Sequence, residues 1–422
     1  MITTPRWFAS ALALCALTAL SACGPGGEVD PATNKFLIYN YDRDTREYSL
    51  QRAEIRTLRD VSTVDGSVVY MRGGGLFKSE IEEPKTEAEW EKALVVDGYK
   101  TPLIEYTIDG DGTVIPWDFD SAMMLTVYHH MERAAEYFDS IPTEGVPMWS
   151  GAPISAQVGR IPCYYYPQIG VLGIPIPIFT DNAAYAYTMN AFIVPPRLAL
   201  TEAVPIYANR GVITHEYSHA VFNRLVHNGK RVPAHVLNES DWSTTTVNEL
   251  NGLDEGVADI FGALDTGDPN YIAPSISEEL VDRDMAIPRY YETCLRMAVT
   301  TGAYPDVSEC GGSEEGGQRK DSRGVRMDYE KGGGYDSHHL GAVVGSVFWA
   351  LRAQLQGKMT DAELGALMLS ALRTISDPSP SFKASDFFNA LHDHLPAEHQ
   401  GAACALFRER LPAIEVELQC QP

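Results

Sequence analysis

The chain is predicted to be α+β in two parts: a strand-rich N-terminal part with one long helix over residues 35–214, and a mainly helical part over 215–422. Three observations predict this. Across residues 35–113 apolar and polar residues alternate, as in Phe36-Leu37-Ile38-Tyr39 and Ser67-Val68-Val69-Tyr70-Met71, with Gly or Asp-Gly between runs; a period of two is that of a half-buried strand. Met123, Met124, Val127, Met131, Ala134 and Tyr137 recur at spacings of three and four, which lines up one apolar stripe on a helix over residues 118–137. After Gly211 helical spacing dominates, broken by a Gly-rich, acidic stretch over 301–334. At 422 residues, 45% hydrophobic and 21% charged, the chain buries a sizeable core and is not a disordered polymer.

The elements follow in order. Residues 1–22 carry one charge, Arg6, then an apolar run, then Leu20-Ser21-Ala22-Cys23. This resembles a bacterial lipoprotein signal, which implies cleavage before Cys23 and lipidation of its sulfur. Residues 23–34, with Val29 and Ala32 as the apolar members after the cysteine, read as a lipidated tether. Gly24 behind the cysteine, where Asp would otherwise stand, points to the outer membrane of the cell envelope. The later apolar stretches are too short, or too broken by Gly and Pro, to cross a bilayer.

Beyond the first strands, Asp109-Gly110-Asp111-Gly112 reads as a hairpin turn, since it lacks the third ligand and distal Glu of a calcium loop. Residues 146–194 return to short strands with Pro and Gly breaks. The stretch 301–334 has too few apolar residues for a core of its own and reads as a surface insertion. Of seven cysteines, Cys15 leaves with the signal and Cys23 is taken by lipid. Short-range bridges Cys294–Cys310 and Cys404–Cys420 are expected from the rest, leaving Cys163 unpaired, as suits an exported protein. The balance of 33 Lys+Arg against 57 Asp+Glu gives a net charge of -24, which excludes a nucleic-acid partner.

The chemistry concentrates in His215-Glu216-Tyr217-Ser218-His219, within a predicted helix over 209–226. Residues four apart share a helix face, so both imidazoles can reach one metal ion, and Glu216 stands beside it as a base. With Glu255 thirty-six residues beyond His219, Asp254-Glu255-Gly256-Val257-Ala258-Asp259-Ile260-Phe261-Gly262 repeats the spacing with carboxylates. Glu255 is then a third ligand, and Asp259 is placed to hold the free ring N–H of a ligand histidine.

Together these motifs resemble those of the thermolysin-like and fungalysin-like zinc metallopeptidases, the gluzincins. The likeness extends over roughly residues 110–422 and implies a zincin fold with a cleft between its two parts. It implies zinc on His215, His219 and Glu255, with Glu216 as general base. Arg283-Asp284-Met285-Ala286-Ile287-Pro288 is similar to the family's Arg-x-Met-x-x-Pro segment, which assigns Arg283 to the substrate carbonyl. His338-His339-Leu340-Gly341 resembles its His-x-x-Gly, which makes His338 an oxyanion donor. Asn190-Ala191-Phe192 resembles the edge strand whose Asn and Ala bind the peptide backbone. Asp254 stands where the family usually has Asn, and Tyr335 is the one candidate for the family's oxyanion tyrosine. Zn2+ is the expected cofactor, with structural Ca2+ a further candidate. The expected molecule is a monomeric endopeptidase acting on peptides or proteins, tied to the membrane by its lipid. The rival readings are an anchored binding or assembly lipoprotein with a structural or decayed zinc site, and a zinc amidase acting on cell-wall peptides.

Overall fold

The computed structural model describes residues 34–79, 86, 88–89, 94–142, 152–165, 168–171, 174–177, 183–194, 204–230, 233–237, 241–275, 283–315, 318–320, 326–327 and 332–420. The expected signal peptide, Cys23 and all of the tether except Asn34 lie outside them. Among the described residues no helix is long and apolar enough to cross a membrane.

The fold is α+β. Strand β1 (Lys35–Asp42) pairs antiparallel with β2 (Glu47–Glu54) and parallel with β9 (Val114–Pro116), which closes a hairpin with β8 (Tyr106–Ile108). At that turn Asp109 Oδ1 accepts from the backbone N–H of Asp111 (3.1 Å) and Thr113 (2.9 Å), and its other oxygen accepts from Arg52 (2.8 Å). The carboxylate is engaged in closing a hairpin, as its sequence predicts. A second sheet has the order β13 (Ala184–Ala186), β14 (Ala191–Val194), β10 (Ile161–Tyr165), β5 (Val69–Gly73), β4 (Asp65–Gly66), β3 (Leu58–Asp60). Val69 and Met71 are buried while Tyr70 is half-buried, the alternation that predicts the strand. A third sheet joins β12 (Ile174–Pro177), β11 (Gln168–Val171), β6 (Leu76–Ser79) and β7 (Leu94–Asp97).

Helix α1 (Phe119–Ser140) starts where Asp118 accepts from Ser121 N–H, and it buries the predicted stripe of Met123, Met124, Val127, Met131 and Ala134. Its buried Glu132 accepts from the backbone N–H of Arg56 (2.8 Å) and Thr57 (2.7 Å), tying the loop after β2 to the helix. Helix α2 (Arg210–Val226) is capped by Asn209, whose Oδ1 accepts from Gly211 N–H at 3.0 Å. Helix α3 (Thr244–Thr266) packs on α2 on one side and on α5 (Ser337–Leu355) on the other. Helices α4 (Thr293–Thr301), α6 (Asp361–Thr374), α7 (Ala384–His394) and α8 (Ala397–Arg410) complete the helical part.

The α3–α5 crossing is set by two glycines. A Cβ on Gly256 would stand 2.8 Å from the carbonyl oxygen of Gly341, and one on Gly341 would stand 2.9 Å from the Gly256 nitrogen. Each is next to, or one turn from, a residue of the centre described below, so bare backbone on both helices brings Glu255 and His338 together.

Two expectations need correction. The boundary at 214/215 falls inside α2, which is continuous and buried along most of its length. One hydrophobic cluster runs from Phe36 to Cys420, so the strand-rich and helical parts share a core. The stretch 301–334 is more than a plain insertion: it holds a small meander of β15 (Ser313–Glu315), β16 (Gln318–Lys320) and β17 (Arg326–Met327). The bridges Cys294–Cys310 and Cys404–Cys420 are formed as expected, and Cys163 is a free, buried thiol that burial pushes up to about 12.

His130, His227 and His235 are buried and His129 is half-buried, none with a carboxylate hydrogen-bond partner among the described residues. Burial pulls His129 and His235 down to about 4, His227 to about 3, and His130, whose ring nitrogens make no hydrogen bond, well below its ordinary value. A depressed imidazole contributes stability above its unfolded value near 6.5 and loses it as pH falls toward the folded value. At pH 5 each of His129, His227 and His235 costs about 2 kcal/mol relative to neutral pH. We expect the drop in unfolding free energy between pH 7 and pH 5, from urea titrations, to shrink by about that amount in His129→Gln. An unchanged drop refutes the assignment.

Candidate metal centre

His215 and His219 stand one turn apart on α2, with their Nε2 atoms 3.1 Å from each other. Glu255 on α3 brings Oε2 to 3.5 Å from His215 Nε2 and 3.8 Å from His219 Nε2. Ligands 2.0–2.1 Å from a tetrahedral ion lie roughly 3.3 Å apart, so these separations bracket those of a zinc ligand set.

The outer nitrogens fix which atoms face inward. His219 Nδ1 lies 2.9 Å from Asp254 Oδ1, and His215 Nδ1 lies 3.1 Å from Asp259 Oδ1. A carboxylate only accepts, so each Nδ1 donates and each Nε2 is left to present a lone pair to the centre. Each carboxylate is in turn held by a tyrosine: Tyr187 donates to Asp254, and Tyr271 donates to Asp259 at 2.7 Å. Glu255 Oε2 completes the picture. It is buried and makes no well-aligned hydrogen bond, although His338 Nε2 at 3.2 Å and Arg283 at 4.0 Å are close. Three electron-pair donors converging in a buried site call for a cation between them. His2Glu also leaves a fourth position open, unlike the closed sets of structural sites.

The electrostatics agree. Burial pulls the His219 imidazole down, but Asp254 and Glu255 outweigh it and hold it up at about 10. The potential that favours a second proton there favours any cation, and a divalent ion competes with that proton for Nε2. Glu255 itself is held well below the usual carboxylate range, its burial overcome by His219, His215 and His338.

Glu216 lines the same cleft, is buried, and makes no hydrogen bond to any described residue. It follows His215 by one residue, so in a helix it points about 100° away from that ligand and is free to act as a base. Arg283 donates from Nε (3.2 Å) and one Nη (2.5 Å) to Asp259, which holds its guanidinium against the centre. His338, in the first turn of α5, lies between Asp336 (2.7 Å) and Glu255. Burial opposes its charge, but those two carboxylates hold it up at about 10. The adjacent His339 turns away to Tyr304, which settles which of the two faces the cleft. These groups line a cleft of about 170 Å³ that Ala183, Ala184, Tyr185 and Tyr187 close on the strand side.

Asn190 and Ala191 do not line it. Strand β14 is paired on both sides, by β13 and β10, and Ala191 is fully buried. Asn190 takes a left-handed turn (φ 45°) and its Oδ1 accepts from Tyr185 at 2.6 Å. The strand at the sheet's end among the described residues is β13, and it borders the cleft. A second Asn-Ala pair stands in the sequence at Asn182-Ala183, and Asn182 is outside the described residues. Tyr335 is likewise remote: its hydroxyl donates to the Asn248 carbonyl at 3.2 Å. The tyrosines that do reach the centre, Tyr187 and Tyr271, come from a turn and from the chain after α3, and their sequence neighbourhoods carry no metal-site spacing.

Comparison of the sequence with protein-family models and with curated proteins gives no match.

Proposed function

We propose that the chain is a zinc-dependent metallopeptidase of zincin fold, exported as a lipid-anchored envelope protein. The observation that carries the reading is the convergence of His215 Nε2, His219 Nε2 and Glu255 Oε2, beside the Glu216 carboxylate, which bonds to no described residue. When bound there, zinc supplies Lewis-acid polarisation of a scissile carbonyl and acidifies water at neutral pH.

The protein's own groups do the rest. Glu216 takes the proton from the attacking water and returns it to the leaving amine. His338, and the Arg283 Nη that makes no bond to a described residue, donate to the oxygen on which charge develops. The edge of β13 that pairs with no described strand offers backbone N–H and C=O groups to an extended peptide, which aligns the scissile bond over the centre. Export is supported by the Leu20-Ser21-Ala22-Cys23 box and by two disulfides that an oxidising compartment maintains.

The test is a casein digest with matched metal analysis. The zinc-loaded chain is expected to hold about one zinc, to cleave casein, to stop when a chelator is added and to resume when zinc is restored; His219→Ala should lose most of the metal. A zinc-loaded chain that leaves casein and peptides intact, or cleaves them in excess chelator, overturns the reading.

A further inference from the structure

A second cavity, of about 400 Å³, opens on the far side of Tyr187 from the metal cleft and shares Tyr185, Tyr187 and Asp254 with it. The Tyr187 ring is the partition: its centroid lies 6.5 Å from that of His219 on one side and 6.3 Å from that of His227 on the other. Phe222, Val236, Val247 and Leu250 supply apolar walls. Two imidazoles complete them. His227 and His235, 6% and 8% exposed, stand 5.6 Å apart centre to centre and make no side-chain hydrogen bond. His235 Nδ1 is buried and unpartnered, whereas its Nε2 is neither bonded nor enclosed, so it faces the cavity.

We infer that this cavity is a specificity subsite for an aromatic substrate side chain with a hydrogen-bonding group at its tip, tyrosine above all. The inference rests on the peptidase reading above. Apolar walls over most of the lining, together with aromatic rings at Phe222 and Tyr187, accept a ring by offset or edge contacts. His235 Nε2, unbonded to any described residue and set among apolar walls, exchanges a hydrogen bond with a phenol hydroxyl, which brings no charge into the cavity. Acidic side chains are disfavoured by the apolar walls and by Asp254 at the rim. The strand β13 runs from the metal cleft, at Ala183 and Ala184, to this cavity, at Tyr185 and Ala186. At about 3.3 Å per residue, a peptide laid along its edge reaches the cavity with a side chain within two residues of the scissile bond.

The experiment pairs cleavage-site mapping with binding. Digestion of a mixed peptide library by the zinc-loaded chain should enrich tyrosine at one fixed position within two residues of the cut. A matched tyrosine peptide should be cleaved at least tenfold faster, in kcat/KM, than its alanine version, and should bind the Glu216→Gln chain at least tenfold more tightly. Val247→Trp fills the cavity and should abolish both preferences, so that the tyrosine and alanine peptides are cleaved and bound alike. His235→Phe should keep an aromatic preference and lose the discrimination of tyrosine over phenylalanine. Cleavage without preference at those positions, or a tyrosine preference that survives both variants, overturns the subsite and leaves the peptidase standing. A chain that neither cleaves any peptide nor, as Glu216→Gln, binds one overturns both.

Discussion

Glu216→Gln is expected to keep its zinc and its fold while peptide hydrolysis falls by about two to four orders of magnitude, the usual cost of losing a general base. The carboxamide matches the carboxylate in size and still hydrogen-bonds, but it does not accept a proton at neutral pH. Because Glu216 makes no hydrogen bond to a described residue, the substitution breaks none of the bonds that hold the described fold. Metal analysis, thermal unfolding and kcat measured on one preparation separate the possibilities. Glu255→Gln provides the contrast: it weakens a ligand, so zinc content and activity should fall together. Wild-type turnover in Glu216→Gln would show that any cleavage arises elsewhere.

The second large effect is expected at a residue that does not reach the metal. Asp259 is fully buried and holds the His215 ring, the Tyr271 hydroxyl and the Arg283 guanidinium at once. The Arg283 charge and the His215 hydrogen bond hold it well below the usual carboxylate range despite its burial. Asp259→Asn leaves Arg283, itself 6% exposed, with an uncompensated charge. Removing one partner of a buried pair costs about 3–5 kcal/mol. Loss of the carboxylate behind a ligand histidine lowers metal affinity by about 10- to 100-fold. The two losses are separable. Pairing Asp259→Ala with Arg283→Met removes the stranded charge, so urea unfolding should recover most of the stability while zinc titration shows the affinity still depressed. If the double variant recovers both, Asp259 acts on the metal only through the fold.

The centre was legible where its geometry is local. The spacing in HEYSH and DEGVADIFG translates directly into helix faces, and the structure places His215, His219, Glu255 and Asp259 together on α2 and α3. His338 was legible as one of two adjacent histidines, and it took the capping of α5 by Asp336 to aim it at Glu255. What was not legible depends on pairing at long range. The Asn190-Ala191 string looks like an edge strand, but strand order is decided by which backbones meet, and β14 is interior. The tyrosines behind Asp254 and Asp259 lie 67 and 12 residues from their partners, in segments without periodicity. The exact boundary between the two parts was not legible for a related reason: α2 spans residue 214/215 as one helix, buried along most of its length within a single hydrophobic cluster.

The close crossing at Gly256 and Gly341 makes the separation of two reactive groups a property of main chain alone. A single methyl group at either position meets backbone within 3 Å, and backbone cannot rotate aside as a side chain can. The tolerance of this centre to change is therefore smallest at two residues that reach neither its donors nor its cleft. A side chain at either position wedges α5 away from α3, and His338 recedes from Glu255 with every residue of the centre still in place. One alanine is thus enough to take the centre apart without replacing any of its members.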